Sequence, residues 1–334
     1  MKRYLLLILI LFAASIAYGQ DKPKLIGEVE FFGYSGIDLN KLRAALPFHE
    51  TESFIGETFA AKLEPAREAI KQITGRWPTD MTNVCCDDQG NWIVFIGLSG
   101  KNISYNPPPK GNTRLPENIL NLYERFIKGN MESVQQGASA EDRSKGYALS
   151  ASPLLRSIQL EMRAYAVGHD RLLRNVLKNA SDDQQRIVAA ELLGYARQSV
   201  SQIAALVHAN RDGNGTVRNN ATRALIVLAE SSPKAAMKIP AEGFIELLLS
   251  GTWTDLNKVS GLLSAITKSR NAKLLTQLRR REVLERLIEM ARWRSHAEAA
   301  RYILGRIAGI DESRLEGLVR SGKVEVIINE LSGK

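Results

Sequence analysis

Two groups of residues in this 334-residue chain have the types and spacing that could do chemistry. Cys85 and Cys86 are its two cysteines, and they are adjacent. A disulfide wants Cα atoms about 4.4–6.8 Å apart and suitably directed Cβ atoms, whereas neighbours in a strand point to opposite faces. The pair therefore reads as two candidate thiols, small and fairly apolar, in a strand. An intermolecular bridge and a strained vicinal ring are the alternatives. The second group is the basic run QLRRREVLERLIEMARWR, where Arg279, Arg280 and Arg281 precede Arg292, Trp293 and Arg294. Between Lys258 and Arg306 twelve Lys or Arg stand against four Glu, a balance of +8. A guanidinium beside an indole suits stacking and a two-pronged grip on carboxylate or phosphate. These six are the candidate partner-binding residues, for an acidic protein or an anionic membrane surface. The plainer alternative is a solvated basic face partly paired with its glutamates.

Beyond these groups the chain is poor in catalytic signals. It contains no H-E-x-x-H, no G-x-S-x-G, no phosphate-binding glycine loop and no C-x-x-C. His49, His169, His208 and His296 are scattered, while a metal site needs three or four ligands meeting at one point. No cofactor and no metal are expected. Glu282 and Arg286, four residues apart, read as an ordinary helix-surface pair.

The elements that would position these residues begin after an N-terminal segment of another kind. MKR, the apolar run YLLLILILFAAS and Ala17-Tyr18-Gly19 have the layout of a secretory signal peptide over residues 1–19. Its apolar run is shorter than the roughly 20 residues needed to span a bilayer. Cleavage removes Lys2 and Arg3 and lowers the net charge from +9 to +7. The expected product is exported, soluble and periplasmic or extracellular. Export makes nucleic acid an unexpected partner despite the basic balance.

In KLIGEVEFFG, Ile26, Glu28 and Glu30 alternate with Val29 and Phe31, the pattern of a strand. DLNKLRAALPF is a helix with Asp38 as its cap and Pro47 as its stop. FAAKLEPAREAIKQITG is a second helix ending at Gly75, and TNVCCDDQGNWIVFIGL is a hairpin turning at Gly90. The order strand–helix–helix–strand–strand, opened by I..V.F.G, resembles a polypeptide-transport-associated (POTRA) domain over residues 24–100. That resemblance implies a small sheet with two helices on one face, a periplasmic setting and contact with other chains.

SYNPPPKGNTRLP follows. Three consecutive prolines favour extended polyproline backbone, so residues 101–116 read as a semi-rigid linker. Leu120, Leu122, Tyr123, Phe126 and Ile127 then form an amphipathic helix. With the polar stretch GASAEDRSKGYALSAS, an ordered loop or lid, it makes a cap over residues 117–152.

From residue 153 to 330 a pattern recurs. QRIVAAELLG, VRNNATRAL, NKVSGLLSAI and HAEAARYILG align through Arg186, Arg218, Lys258 and Ala297, at steps of 32, 40 and 39 residues. Alanines let neighbouring helices lie close, and a leucine four residues on fills the space behind. Asp212, six residues before Arg218, can join turn to helix through charge-assisted bonds. Arg186, Asp212 and Arg218 are the candidate structural residues of the repeat. The segments resemble HEAT repeats, which implies antiparallel helix pairs, each stacked on its neighbours, with a long groove. Lys258 and Ala297 lack the arginine, which interrupts any Asp–Arg ladder.

The fold expected is an α+β N-terminal module followed by an all-α right-handed solenoid of HEAT-like hairpins. The function expected is an exported, non-catalytic scaffold or adaptor that binds a protein partner through the solenoid groove and the Arg-rich patch. Two alternatives stand beside it: an envelope-assembly or secretion-associated factor acting through the POTRA-like module, and an enzyme whose active site lies in the groove under the 137–152 loop.

Overall fold

The computed structural model describes residues 24–138 and 140–332, so the expected signal peptide lies outside the described residues. The chain divides into two compact units, Met1–Leu98 and Ser99–Lys334. It is mostly helical, with fifteen helices among the described residues and a small sheet in the first unit. Among the described residues no helix is long and apolar enough to cross a membrane.

In the first unit β1 (Lys24–Phe32) leads to α1 (Leu39–Ala45), the short β2 (Ser53–Phe54), α2 (Gly56–Thr74), β3 (Asp80–Cys85) and β4 (Trp92–Gly97). The sheet order is β2-β1-β4-β3, with β1 parallel to β4 and β3 antiparallel to it. The Asp38 carboxylate accepts from the N–H groups of Asn40 and Lys41 and so caps α1. A register shift between Ile26 and Glu28 breaks the alternation of β1. This bulge brings Ile26 into the same core as Val29 and Phe31, residues of opposite parity, alongside Leu42, Phe59, Ile70 and Ile96.

Cys85 and Cys86 are joined to each other as a vicinal disulfide. The expectation of two separate strand thiols is corrected accordingly. β3 ends at Cys85, so Cys86 is not held to the opposite face by strand alternation.

The second unit contains α3 (Glu117–Gln135) and a hairpin of β5 (Glu141–Asp142) and β6 (Leu149–Ser150). Then come α4 (Pro153–Asn179), α5 (Asp183–Leu193), α6 (Val200–Ala209), α7 (Gly215–Ser231), α8 (Pro233–Ala236), α9 (Glu242–Leu247) and α10 (Trp253–Thr267). The last are α11 (Ala272–Leu278), α12 (Arg281–Ala291), α13 (Glu298–Ile307), α14 (Glu312–Arg320) and α15 (Val324–Ser332). One row of helices packs in order, α5 on α7, α7 on α10, α10 on α13 and α13 on α15. Helices α4, α6, α9 and α12 pack against members of this row. Buried Ala189, Ala190, Ala221, Ala224 and Ala300 permit the close approach, and Leu193, Leu225, Leu262 and Leu304 fill the core behind them.

Residues 101–116, expected as a linker, lie along this helical unit as an extended strap. The Lys101 N–H donates to the Leu249 carbonyl (2.8 Å), Asn106 N–H to Arg211 (2.7 Å) and Gly111 N–H to Asn179 (2.8 Å). The Ser181 N–H returns a bond to the Gly111 carbonyl at 2.8 Å. These anchors fall on the turns before α10, α7 and α5, so the strap runs opposite to the order of the helices. The prolines lie between the second and third anchors, where no N–H is required. Glycine is needed at two points of closest approach: a Cβ on Gly100 would meet the Gly251 nitrogen at 2.2 Å, and one on Gly111 the Asn179 carbonyl oxygen at 2.5 Å.

Candidate functional site

The repeat residues form a linkage between units. Nη1 of Arg186 donates to the carbonyls of Ala180 (2.9 Å) and Ser181 (3.3 Å), the turn in front of its own helix α5. Its Nε and Nη2 grip the Asp212 carboxylate of the next unit at 2.7 and 3.0 Å. Arg218 repeats the arrangement one unit on. Its Nη1 donates to the carbonyls of Asp212 (2.9 Å) and Gly213 (3.2 Å), and its Nε and Nη2 each bond the Asp255 carboxylate at 2.9 Å. Asp212 thus gives its carboxylate to the preceding unit and only its carbonyl to Arg218, which corrects the pairing expected within one turn and helix. The strap joins in: the Tyr105 hydroxyl donates to Asp255 at 3.2 Å, and the Arg218 guanidinium lies 4.2 Å from the centre of the Tyr105 ring. Arg286 serves the same purpose further on. It is buried and donates to the carbonyls of Ser250 and Ser99, both at 3.0 Å, while Glu282 pairs with Lys101 at 2.7 Å. The expected Glu282–Arg286 surface pair is therefore replaced by two contacts that hold the start of the strap.

The Arg-rich patch is divided. Arg279, Arg280 and Arg281 lie at the start of α12 and Arg292, Trp293 and Arg294 at its end, separated by an eleven-residue helix or roughly 16 Å. Trp293 is 1% exposed, so its indole belongs to the core and is not offered beside the arginines. Its neighbours Arg292 and Arg294 are exposed. Arg279 bonds the Ile307 carbonyl, Arg281 pairs with Glu285 (2.8 Å) and Arg292 with Glu325 (2.9 Å). Elsewhere in the basic stretch, Arg306 is buried against Glu312 and the Ser264 carbonyl. Two carboxylates from outside the stretch, Glu312 and Glu325, thus match part of the formal +8.

Charged side chains converge instead beneath the 137–152 segment. The β5–β6 hairpin supplies Glu141 and Arg143, α5 supplies Glu191, α7 supplies Arg223 and Glu230, and α10 supplies Lys258. Arg143 pairs with Glu141 at 3.0 Å and with Glu230 at 3.1 Å. Arg223 pairs closely with Glu141 and reaches Glu191 at 3.6 Å. The hairpin is seated on α4 by the Ser150 N–H, which donates to Gln159 Oε1 at 2.6 Å, and its two ends are joined by the Ala151 N–H, which donates to the Ala140 carbonyl at 2.8 Å.

Burial sets the electrostatics. Glu191 is buried, which raises its pKa; Arg223 and Lys258 oppose the shift and Glu141 adds to it. Burial also opposes the charge of Arg223, but Glu191 and Glu141 outweigh it and the pKa is raised. Lys258 is half-buried, and burial first, then the like charges of Arg223 and Arg143, push its pKa down to about 8. Tyr123 is pushed up to about 12 by burial and the Glu191 charge. The buried Tyr195 hydroxyl sits by Gln159 and Arg223 in good hydrogen-bond geometry with neither, and its pKa is raised by burial first. His296 stands close enough to Lys258 for that charge to add to the desolvation that lowers its pKa. Among the described residues no group of three or more His, Cys, Asp or Glu could hold a metal ion.

Chemically, this is an ion-paired knot with one amine beside it. Lys258, aligned on sequence with the turn-gripping Arg218, faces the cluster instead, and the buried link at its unit runs through Asp255. The sequence does carry a signal for the cluster: Glu191 and Arg223 each stand five residues after a repeat arginine, inside the apolar contexts AAELL and ATRAL.

No protein-family model and no curated protein matches the chain. Among solved structures, the crystal structure of an engineered protein aligns with 65% of this chain and 94% of its own, at 19% identity and a TM-score of 0.39. That likeness is too slight to carry an argument about fold or function.

Proposed function

We propose that the chain is an exported, non-catalytic interaction platform, a POTRA-like module followed by a HEAT-like solenoid that presents a fixed surface to a protein partner. The observation that carries this reading is the repeated linkage of unit to unit by Arg186–Asp212 and Arg218–Asp255, tied across by the strap. A surface built in advance loses little conformational entropy when a partner binds. The strand and helix order of the first unit supports the POTRA-like assignment, and the consecutive packing of α5, α7, α10, α13 and α15 supports the solenoid. Its partner carries acidic groups that meet exposed arginines such as Arg280 and Arg294. Crosslinking the full-length chain in its native envelope, followed by mass spectrometry, tests the proposal. One dominant protein adduct mapping to residues 99–332 is expected, and its yield should fall as salt rises. Adducts only to itself, or spread evenly over many proteins, would contradict it.

A second reading, catalysis in the helical groove, is favoured by the lowered pKa of Lys258. It requires that an aldehyde reduced in place with cyanoborohydride labels Lys258 well ahead of the other lysines. Even labelling of all lysines removes it.

A further inference from the structure

Helix α3 buries Ile119, Leu122, Tyr123 and Phe126 on one side. One flank is committed to α4: Arg125 grips Glu161 at 2.8 and 3.0 Å, and a Cβ on Gly129 would meet Ile158 at 3.3 Å. The other flank is apolar and open. Ile127 is 39%, Met131 56% and Val134 44% exposed, and half-buried Leu120 extends the line. At about 100° per residue these four side chains fall within an arc of roughly 60°. No other helix among the described residues exposes three large apolar side chains. Apolar residues scattered singly over a surface are ordinary, whereas a contiguous stripe marks a contact surface.

The stripe is symmetric about Ile127, with Leu120 and Val134 seven residues to either side. Along one border lie Glu124 and Lys128, both exposed and unpaired among the described residues. A second α3, turned antiparallel about a two-fold axis at Ile127, brings each Leu120 level with Val134 of the other copy. The same turn keeps both charged borders on one side of the contact. Each Glu124 then stands about 3 Å along the helix axis from Lys128 of the other copy. A parallel pair would put the two borders on opposite sides and unite neither charge.

We infer that two copies of the chain associate through this stripe, α3 against α3, as an antiparallel two-fold pair. A surface used identically by both copies has to complement itself, and the apolar spacing and the reciprocal charges do so. The contact is small, so the dimer is weak and forms at high concentration. It uses residues apart from the Arg-rich stretch and does not rest on the interaction-platform reading.

Sedimentation velocity of the full chain at rising concentration tests it, with a monomer–dimer equilibrium expected. Ile127→Glu should abolish association, while Met237→Glu, at a position 75% exposed beyond α8, leaves it unchanged. Glu124→Lys and Lys128→Glu should each weaken the dimer several-fold. Both reversals in one chain should restore it, because in a self-pair the partner changes with the chain. Disulfide trapping reads the orientation. Leu120→Cys mixed with Val134→Cys should crosslink, whereas Val134→Cys alone should not, since antiparallel copies hold that position roughly 21 Å apart along the axis. Circular dichroism and a cooperative melt show that each variant is folded; if Ile127→Glu does not fold, the trapping carries the test. A stripe covered by the N-terminal segment or by a different protein leaves the chain monomeric at every concentration, and that result overturns the proposal. Equal association of folded Ile127→Glu, no rescue by the double reversal, or crosslinking of Val134→Cys to itself also overturns it.

Discussion

Replacing Asp255 with alanine is expected to destabilise the helical unit by about 3–5 kcal/mol, because it strands the buried guanidinium of Arg218 without its counter-charge. For a unit of this size that corresponds to a fall in Tm of roughly 10 °C. The loss is large because Asp255 accepts from three groups at once, two Arg218 nitrogens and the Tyr105 hydroxyl, and all lie in or against the protein interior. Asp255→Asn keeps the volume and one acceptor, so it should cost less. Removing both charges together, as Arg218→Met with Asp255→Leu, should recover most of the stability, since a buried pair costs nearly as much desolvation as it returns in attraction. Urea and thermal melts followed by circular dichroism give the values. A loss below about 1 kcal/mol for Asp255→Ala, the range of exposed pairs, would mean that the linkage is solvated.

The second large effect has the opposite sign. Lys258→Met is expected to stabilise the chain at pH 7. In the unfolded chain the amine titrates near its ordinary 10.5, and in the fold at about 8. Between those values the unfolded chain holds more protons, so stability rises with pH through that window; below pH 8 the whole penalty is present. Its size is roughly 2–3 kcal/mol for a half-buried group. The methionine variant lacks the penalty at every pH. Its Tm should therefore exceed that of the parent by about 5–10 °C at pH 7, and the gap should shrink from pH 8 upward and close only above 10.5, where the parent amine becomes neutral in both states. An offset that stays constant with pH would place Lys258 in ordinary solvent.

The elements of both units were legible where local chemistry declares them. Asp38 and Gly75 mark helix ends, Gly90 marks a hairpin, and the arginine–alanine–leucine spacing marks helices that stack. What stayed hidden depends on partners far away in the chain. Extended polyproline backbone has no internal hydrogen bonds, so a docked strap and a free linker look alike until the carbonyls of Leu249, Arg211 and Asn179 are placed beside them. Trp293 read as a surface residue because arginines flank it, but a helix end can turn one side chain inward and its two neighbours outward. The Lys258 cluster gathers residues from positions 141 to 258 whose types are common on any helix surface. Periodicity marks Glu191 and Arg223 as equivalent, but it does not reveal that a hairpin folds over them.

Hydrogen–deuterium exchange of the full chain tests most directly whether the helical unit is one preassembled platform. Residues 99–116 should be protected to nearly the same degree as α7 and α10, and Asp255→Ala should release the strap, α7 and the start of α10 together. A strap that exchanges within seconds in the parent chain, or an Asp255→Ala effect confined to α10, would contradict the account.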